Sequence, residues 1–126
     1  MEDRLAEQLK NAGIDASYEK HKIKYVIPAT NHTYTPDFVL PNGIIIEGKG
    51  LFEAEDRKKH LLVKEQMPHL EIRFVFSNPT TKLYKGSKTS YADWCLKYGY
   101  KYAKGYIPEE WLKDTNKYSL EGVLLK

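Results

Sequence analysis

The sequence predicts an α/β sandwich around a mixed sheet, and three observations carry that expectation. Helical and strand periodicities alternate in the order helix, strands, hairpin, helix, strand, then a helical and basic tail. An Asn42-Gly43 pair stands between two apolar β-branched runs, the strongest short-range hairpin signal available. The chain has 126 residues, 41% hydrophobic and 29% charged, which suits one globular domain over residues 1–126.

Each element has a local reason. From Glu2 to Ala12, Leu5, Leu9 and Ala12 recur at helical spacing, and Gly13 supplies a stop. Ser17 to Ile27 alternates Tyr18, Ile23, Tyr25 and Ile27, which reads as one or two strands. Pro28 to Thr35 reads as a loop. Asp37 to Leu40 and Ile44 to Glu47 form the arms of the hairpin, turning at Pro41-Asn42-Gly43. A helix from about Glu53 to Gln66 ends at Pro68, with Ala54, Lys58, Leu61, Leu62 and Glu65 along one side. Glu71 to Ser77 reads as a buried strand, and Ser90 with Asp93 resembles an N-cap for a helix reaching about Tyr98. Pro108 occupies the first position of another helix start.

Composition narrows the function classes. No apolar run approaches the ~20 residues that cross a bilayer, and the acidic start Met1-Glu2-Asp3-Arg4 lacks the apolar segment of a secretory signal. A lone Cys95 cannot form an internal disulfide, which fits a reducing cytoplasm. The four histidines have none of the tight Cys/His spacing of structural zinc sites. Net charge is +3, but its distribution says more. Between Asn78 and Gly105, Lys82, Lys85, Lys88, Lys97, Lys101 and Lys104 interleave with Tyr84, Tyr91, Trp94, Tyr98, Tyr100 and Tyr102, a pattern that suits contact with phosphate and sugar. A solvated lysine surface over packed tyrosines would look the same.

The chemistry concentrates on the hairpin. With a three-residue turn centred on Asn42, Asp37 falls opposite Glu47; a two-residue turn shifts it by one residue. Either register brings two carboxylates together at the open end. Glu47 and Lys49 alternate onto one face, and Gly48 and Gly50 allow close approach. Two acids and an ammonium suit hydrolysis of a phosphodiester: hard cations such as Mg²⁺ take carboxylate, carbonyl and water oxygens, and a lysine can hold the attacking water. The Gly48 carbonyl offers one more oxygen. A Glu-x-Lys pair on an exposed strand is usually only an ion pair worth ~0–1 kcal/mol. Placing these charges at the end of an apolar hairpin, where desolvation is costly, favours the metal site.

Pro36-Asp37 followed by Glu47-Gly48-Lys49 matches the Pro-Asp…(Asp/Glu)-x-Lys signature of a nuclease superfamily. The surrounding segments are more specific. Tyr25-Val-Ile-Pro-Ala29, Asn31-His-Thr-Tyr-Thr-Pro-Asp-Phe38, Leu40-Pro-Asn-Gly-Ile44, Asp56-Arg-Lys-Lys-His-Leu-Leu62 and Thr81-Lys-Leu-Tyr-Lys-Gly-Ser87 resemble the phage endonuclease I family over Glu2 to about Trp111. That resemblance implies a restriction-endonuclease-like α-β-β-β-α-β core with a mixed central sheet in a domain-swapped homodimer, located in the host cytoplasm. It implies a metal-dependent endonuclease that resolves branched double-stranded DNA such as four-way junctions. Asp37 and Glu47 would ligate Mg²⁺ or Mn²⁺, one or two ions per site, with the Gly48 carbonyl. Lys49 would assist the water, and Glu2 would complete the site from the partner chain. Arg57, Lys58, Lys59 and His60, with Lys82 and Lys85, are expected DNA contacts, while His32 and His60 also admit a structural role. Family members carry an often basic extension ahead of the glutamate matched by Glu2, so any DNA contact by that arm is expected to be absent. A sequence-specific or nicking nuclease and a non-catalytic junction-binding protein are the rival readings.

Overall fold

The computed structural model describes residues 1–27 and 30–125. Along the chain come α1 (Glu2–Asn11), β1 (Ser17–Tyr18), β2 (His21–Ile27), β3 (Thr30–Tyr34), β4 (Phe38–Val39) and β5 (Ile45–Lys49). There follow α2 (Ala54–Gln66), β6 (Ile72–Phe76), α3 (Tyr91–Tyr98), β7 (Tyr102–Lys104), α4 (Glu109–Leu112) and β8 (Val123–Leu125). A five-stranded sheet runs β1-β4-β5-β6-β7, and a three-stranded sheet runs β3-β2-β8. In the larger sheet β1, β4 and β5 pair antiparallel, whereas β5-β6 and β6-β7 pair parallel. The fold is therefore α/β with a mixed sheet. No helix among the described residues is long and apolar enough to cross a membrane.

Both faces of the large sheet are covered, which is why every residue of β6 is buried. Against one face α1 lays Leu5 and Leu9, packed with Phe38, Ile44, Ile46, Val75, Ile107 and Trp111. The other face carries an aromatic core in which Phe52 meets Phe74, Phe76, Tyr91 and Trp94 at centroid distances of 4.8–5.8 Å. The acids Glu2 and Asp3 in the first turn of α1 and Lys10 in the last oppose the helix dipole favourably. α3 is closed by a capping box in which Ser90 Oγ accepts from the Asp93 N–H at 3.1 Å and the Asp93 carboxylate accepts from the Ser90 N–H at 3.0 Å.

The hairpin takes the three-residue turn. Phe38 stands opposite Ile46 and Val39 opposite Ile45, and the Leu40 N–H donates to Ile44 O at 2.9 Å. Gly43 adopts φ +91°, and a Cβ there would run into the Tyr118 carbonyl, so glycine is required twice over. Asn42 locks the turn: its Oδ1 accepts from the Ile44 N–H, and its Nδ2 donates to the carbonyls of Trp111 and Asp114, each at 3.1 Å.

Four expectations need correction. Residues 30–34, expected as loop, form β3, because pairing with β2 from Ile23↔Tyr34 to Ile27↔Thr30 outweighs the weak local signal; Pro28 and Ala29 lie outside the described residues. α2 turns His60 and Val63 inward, leaving Ala54, Lys58 and Glu65 exposed. Pro108 caps α4 instead of beginning it. The expected helical tail contributes two strands: β7 extends the large sheet, and β8 pairs with β2 from His21↔Leu125 to Ile23↔Val123.

Candidate active site at the open end of the hairpin

The register places Asp37 directly across from Glu47, and each acid is held by backbone of the opposing strand. The Asp37 N–H donates to Glu47 Oε2 at 2.9 Å, and the Gly48 N–H donates to Asp37 Oδ2 at 2.9 Å. This reciprocal clamp holds one oxygen of each carboxylate on backbone N–H groups. Asp37 is 9% exposed and Glu47 only 2%. Burial pushes the Asp37 carboxyl up to about 6; the Gly48 N–H opposes the shift and the Glu2 charge adds to it. Burial pushes Glu47 higher, to about 8, with repulsion from Asp37 adding and Lys49 opposing. Burial and repulsion from a neighbouring acid thus both favour the protonated forms of this pair.

Carboxylate oxygens of Glu2, Glu19 and Asp37 lie within 4.8 Å of one another. A set of hard oxygen donors around one point fits Mg²⁺ or Mn²⁺ and does not fit softer, thiolate-seeking metals. The Tyr18 hydroxyl donates to Glu2 Oε2 at 2.9 Å and orients it. Glu19 sits at φ +51°, in the left-handed region, which turns it back beside Glu2 and Asp37. Gly48 makes room for α1: a Cβ there would stand 2.8 Å from Met1 Cγ and 3.0 Å from Leu5 Cδ1. The first turn of the helix can thus seat Glu2 over the hairpin.

Lys49 ends β5 with its Nζ 3.8 Å from Asp56 Oδ1, on the first turn of α2. Lys59 shares that carboxylate at 3.6 Å. Together these features gather two clamped acids, a third acid on α1 and an adjacent ammonium, in segments that match one family throughout. The sequence model described as Phage endonuclease I matches residues 1–126.

The chain belongs to the phage endonuclease I family.

Among its relatives is Endonuclease I of Escherichia phage T7, 59% identical over 117 residues, covering 93% of this chain and 78% of that protein. Endodeoxyribonuclease 1 of Enterobacteria phage T3 is 54% identical over 117 residues, covering 93% of this chain and 77% of that protein.

Within this endonuclease I fold the expected DNA contacts separate. Lys58, Lys82 and Lys85 are exposed. Arg57 is half-buried and donates from Nη1 to the Phe52 carbonyl at 2.6 Å, which ties the loop after β5 to α2. Lys59 is also half-buried, its Nζ lying 4.9 Å from the Tyr34 ring centroid. His60 is the correction: at 0% exposure it cannot reach a phosphate. Its ring is boxed by Tyr34, Phe52 and Phe74, and its Nε2 stands 3.5 Å from Glu47 Oε1. Burial holds its pKa well below the usual value, so the ring is neutral. Of its two readings, the structural one describes this chain.

Glu19, Tyr18 and Asp56 were missed from the sequence. Nothing local singles out Glu19, because its approach to Asp37 depends on the pairing of β1 with β4. Asp56 had a faint signal, as an acid in the first turn of a helix beginning just after Lys49.

Proposed function

We propose that this family member is a metal-dependent, structure-selective endodeoxyribonuclease that resolves branched DNA such as four-way junctions. Endonuclease I and Endodeoxyribonuclease 1, the names its relatives carry, support hydrolysis of DNA. The observation that carries the metal-dependent reading is the reciprocal clamp between Asp37 and Glu47, with Glu2 beside it.

Asp37, Glu47, Glu2 and the Gly48 carbonyl are the residues that would hold Mg²⁺ or Mn²⁺, one or two per site, and the ion would supply charge neutralisation at the scissile phosphate and acidify the attacking water. The clamp holds both acids by backbone N–H groups before substrate arrives, so little reorganisation accompanies reaction. The Lys49 ammonium hydrogen-bonds the attacking water and offsets negative charge growing on the phosphate oxygens. Water adds to phosphorus, the bond from phosphorus to the leaving sugar oxygen breaks, and that oxygen takes up a proton. Exposed Lys58, Lys82 and Lys85 supply counter-charge along the DNA backbone.

The active unit in this reading is a homodimer with shared sites. Glu2 precedes β2, whereas Asp37, Glu47 and Lys49 follow β3, so the site joins two segments connected through the β2-β3 pair. Exchange of the first segment between two copies would rebuild the same contacts with Glu2 supplied in trans.

The test is incubation with Mg²⁺ of a four-way junction and a linear duplex of matching sequence. Cleavage of the junction alone is expected, and equal cutting of both would sink the resolving role. Binding without cutting under Mg²⁺ and Mn²⁺ would make the protein a binding module. Lys49→Ala is expected to abolish cleavage while leaving junction binding intact.

A further inference from the structure

The carboxyl edge of the large sheet carries cations and an aromatic ring that the catalytic centre does not use. β5, β6 and β7 run parallel and end in register, Lys49 beside Phe76 and Phe76 beside Lys104. Two strand spacings put Lys104 about 10 Å along the edge from Lys49, and the carboxyl edge is where parallel sheets take their ligands. Just past β7, Gly105 adopts φ +77° and donates to the Phe76 carbonyl at 2.8 Å. This bend throws Tyr106 outward, and the residue is 58% exposed.

The ring is nonetheless held. The Arg4 guanidinium lies over it, 5.3 Å from the centroid. Gln8 fixes the backbone beneath by donating to Ile107 O at 2.7 Å and accepting from the Ile107 N–H at 2.9 Å. The first turns of α1 therefore point in two directions. Glu2 faces Asp37 on the β4 side, and Arg4 faces Tyr106 on the β7 side. Arg4 and Tyr106 open onto a depression of about 520 Å³ lined also by Glu7, Gln8, Asn11 and Ala12, with Lys104 outside it. Arg4 and Lys104 are exposed, and neither has a carboxylate partner among the described residues, unlike Lys49 and Lys59, which share Asp56.

We propose that Tyr106 and Arg4 form a DNA subsite near the catalytic acids in which the ring stacks on a base left uncovered at a branch point, with Lys104 meeting the backbone from the other side of the sheet edge. It rests on the endonuclease reading above and adds a residue that confers selectivity for branched DNA. In a continuous duplex each base is already covered on both faces, so the ring finds no partner. At a branch, the end pair of an arm presents a free face beside the backbone to be cut. Stacking on that face depends on DNA structure and little on sequence. Arg4 and Lys104 meet phosphates, which both kinds of DNA offer.

Fluorescence anisotropy in EDTA, with a labelled four-way junction and a labelled duplex of the same sequence, tests this without cleavage. Wild type is expected to prefer the junction. Tyr106→Ala should weaken junction binding about tenfold and leave duplex binding unchanged, while Tyr106→Phe keeps the wild-type ratio. Arg4→Ala and Lys104→Ala should weaken both complexes, each lowering the salt slope by about one ion. A junction-to-duplex ratio for Tyr106→Ala within twofold of wild type overturns the subsite alone. Equal binding of both DNAs by wild type refutes the branched-DNA reading, and the subsite falls with it.

Discussion

Glu47→Gln is expected to make the metal-free protein more stable at pH 8 while removing its nuclease activity. Glu47 is 2% exposed, and its pKa rises from an ordinary 4.5 to about 8, chiefly through burial. The folded state thus binds this proton more tightly than the unfolded chain. The stability associated with the protonated form is complete below the unfolded value and is lost as pH climbs through about 8. A shift of roughly three and a half units at about 1.4 kcal/mol each, less the half-protonation remaining at pH 8, sets an upper limit of about 4 kcal/mol. Water entering beside the carboxylate reduces this, so about 2–4 kcal/mol is the working range. Glutamine keeps an acceptor for the Asp37 N–H and turns its amide toward His60 Nε2, an atom with no hydrogen-bond partner among the described residues. The gain corresponds to roughly 6–15 °C in Tm for a chain of this size. Urea unfolding in EDTA, at equal protomer concentration and at pH 5 and pH 8, measures it. A variant less stable than wild type at pH 8, or a gap equal at the two pH values, would refute the assignment of strain to this carboxylate.

Gly43→Ala should cost about 2–4 kcal/mol, since it combines a positive φ with a collision against the Tyr118 carbonyl; thermal unfolding reports the loss. His60→Leu removes a buried ring with two unpartnered nitrogens, so stability should change by less than about 1 kcal/mol. The same variant should weaken Mn²⁺ binding by roughly 10–100-fold in calorimetry, because Glu47 loses the ring that stands beside Oε1. Mn²⁺ binding should release protons and weaken as pH falls through about 8 and then about 6, the values for Glu47 and Asp37. Calorimetry in buffers of different ionisation enthalpy would show this, and pH-independent affinity between 5.5 and 8.5 would exclude these acids as ligands.

What the sequence determined by itself was local. Pro41-Asn42-Gly43 marks the turn and either register brings Asp37 near Glu47; the folded chain takes the one that puts them directly across. Leu5 and Leu9 mark the buried stripe of α1, and Ser90 with Asp93 marks the start of α3. These signals span fewer than a dozen residues, although the turn is then locked by the distant carbonyls of Trp111 and Asp114. Tertiary structure decided the rest. Residues 30–34 become a strand because β2 is there to pair with them, and β8 returns from the far end of the chain to flank the same strand. His60 looks like one more polar residue on a basic helix until the aromatic face of the sheet closes over it, and the side of α2 that packs inward is chosen by that face. Glu19 joins Glu2 and Asp37, and Tyr106 lies under Arg4, only because elements distant in sequence converge at one edge of the sheet. Backbone geometry within a turn is fixed by short-range sterics and hydrogen bonds. Which charged groups are stripped of water depends on surfaces that meet only once the whole chain has folded.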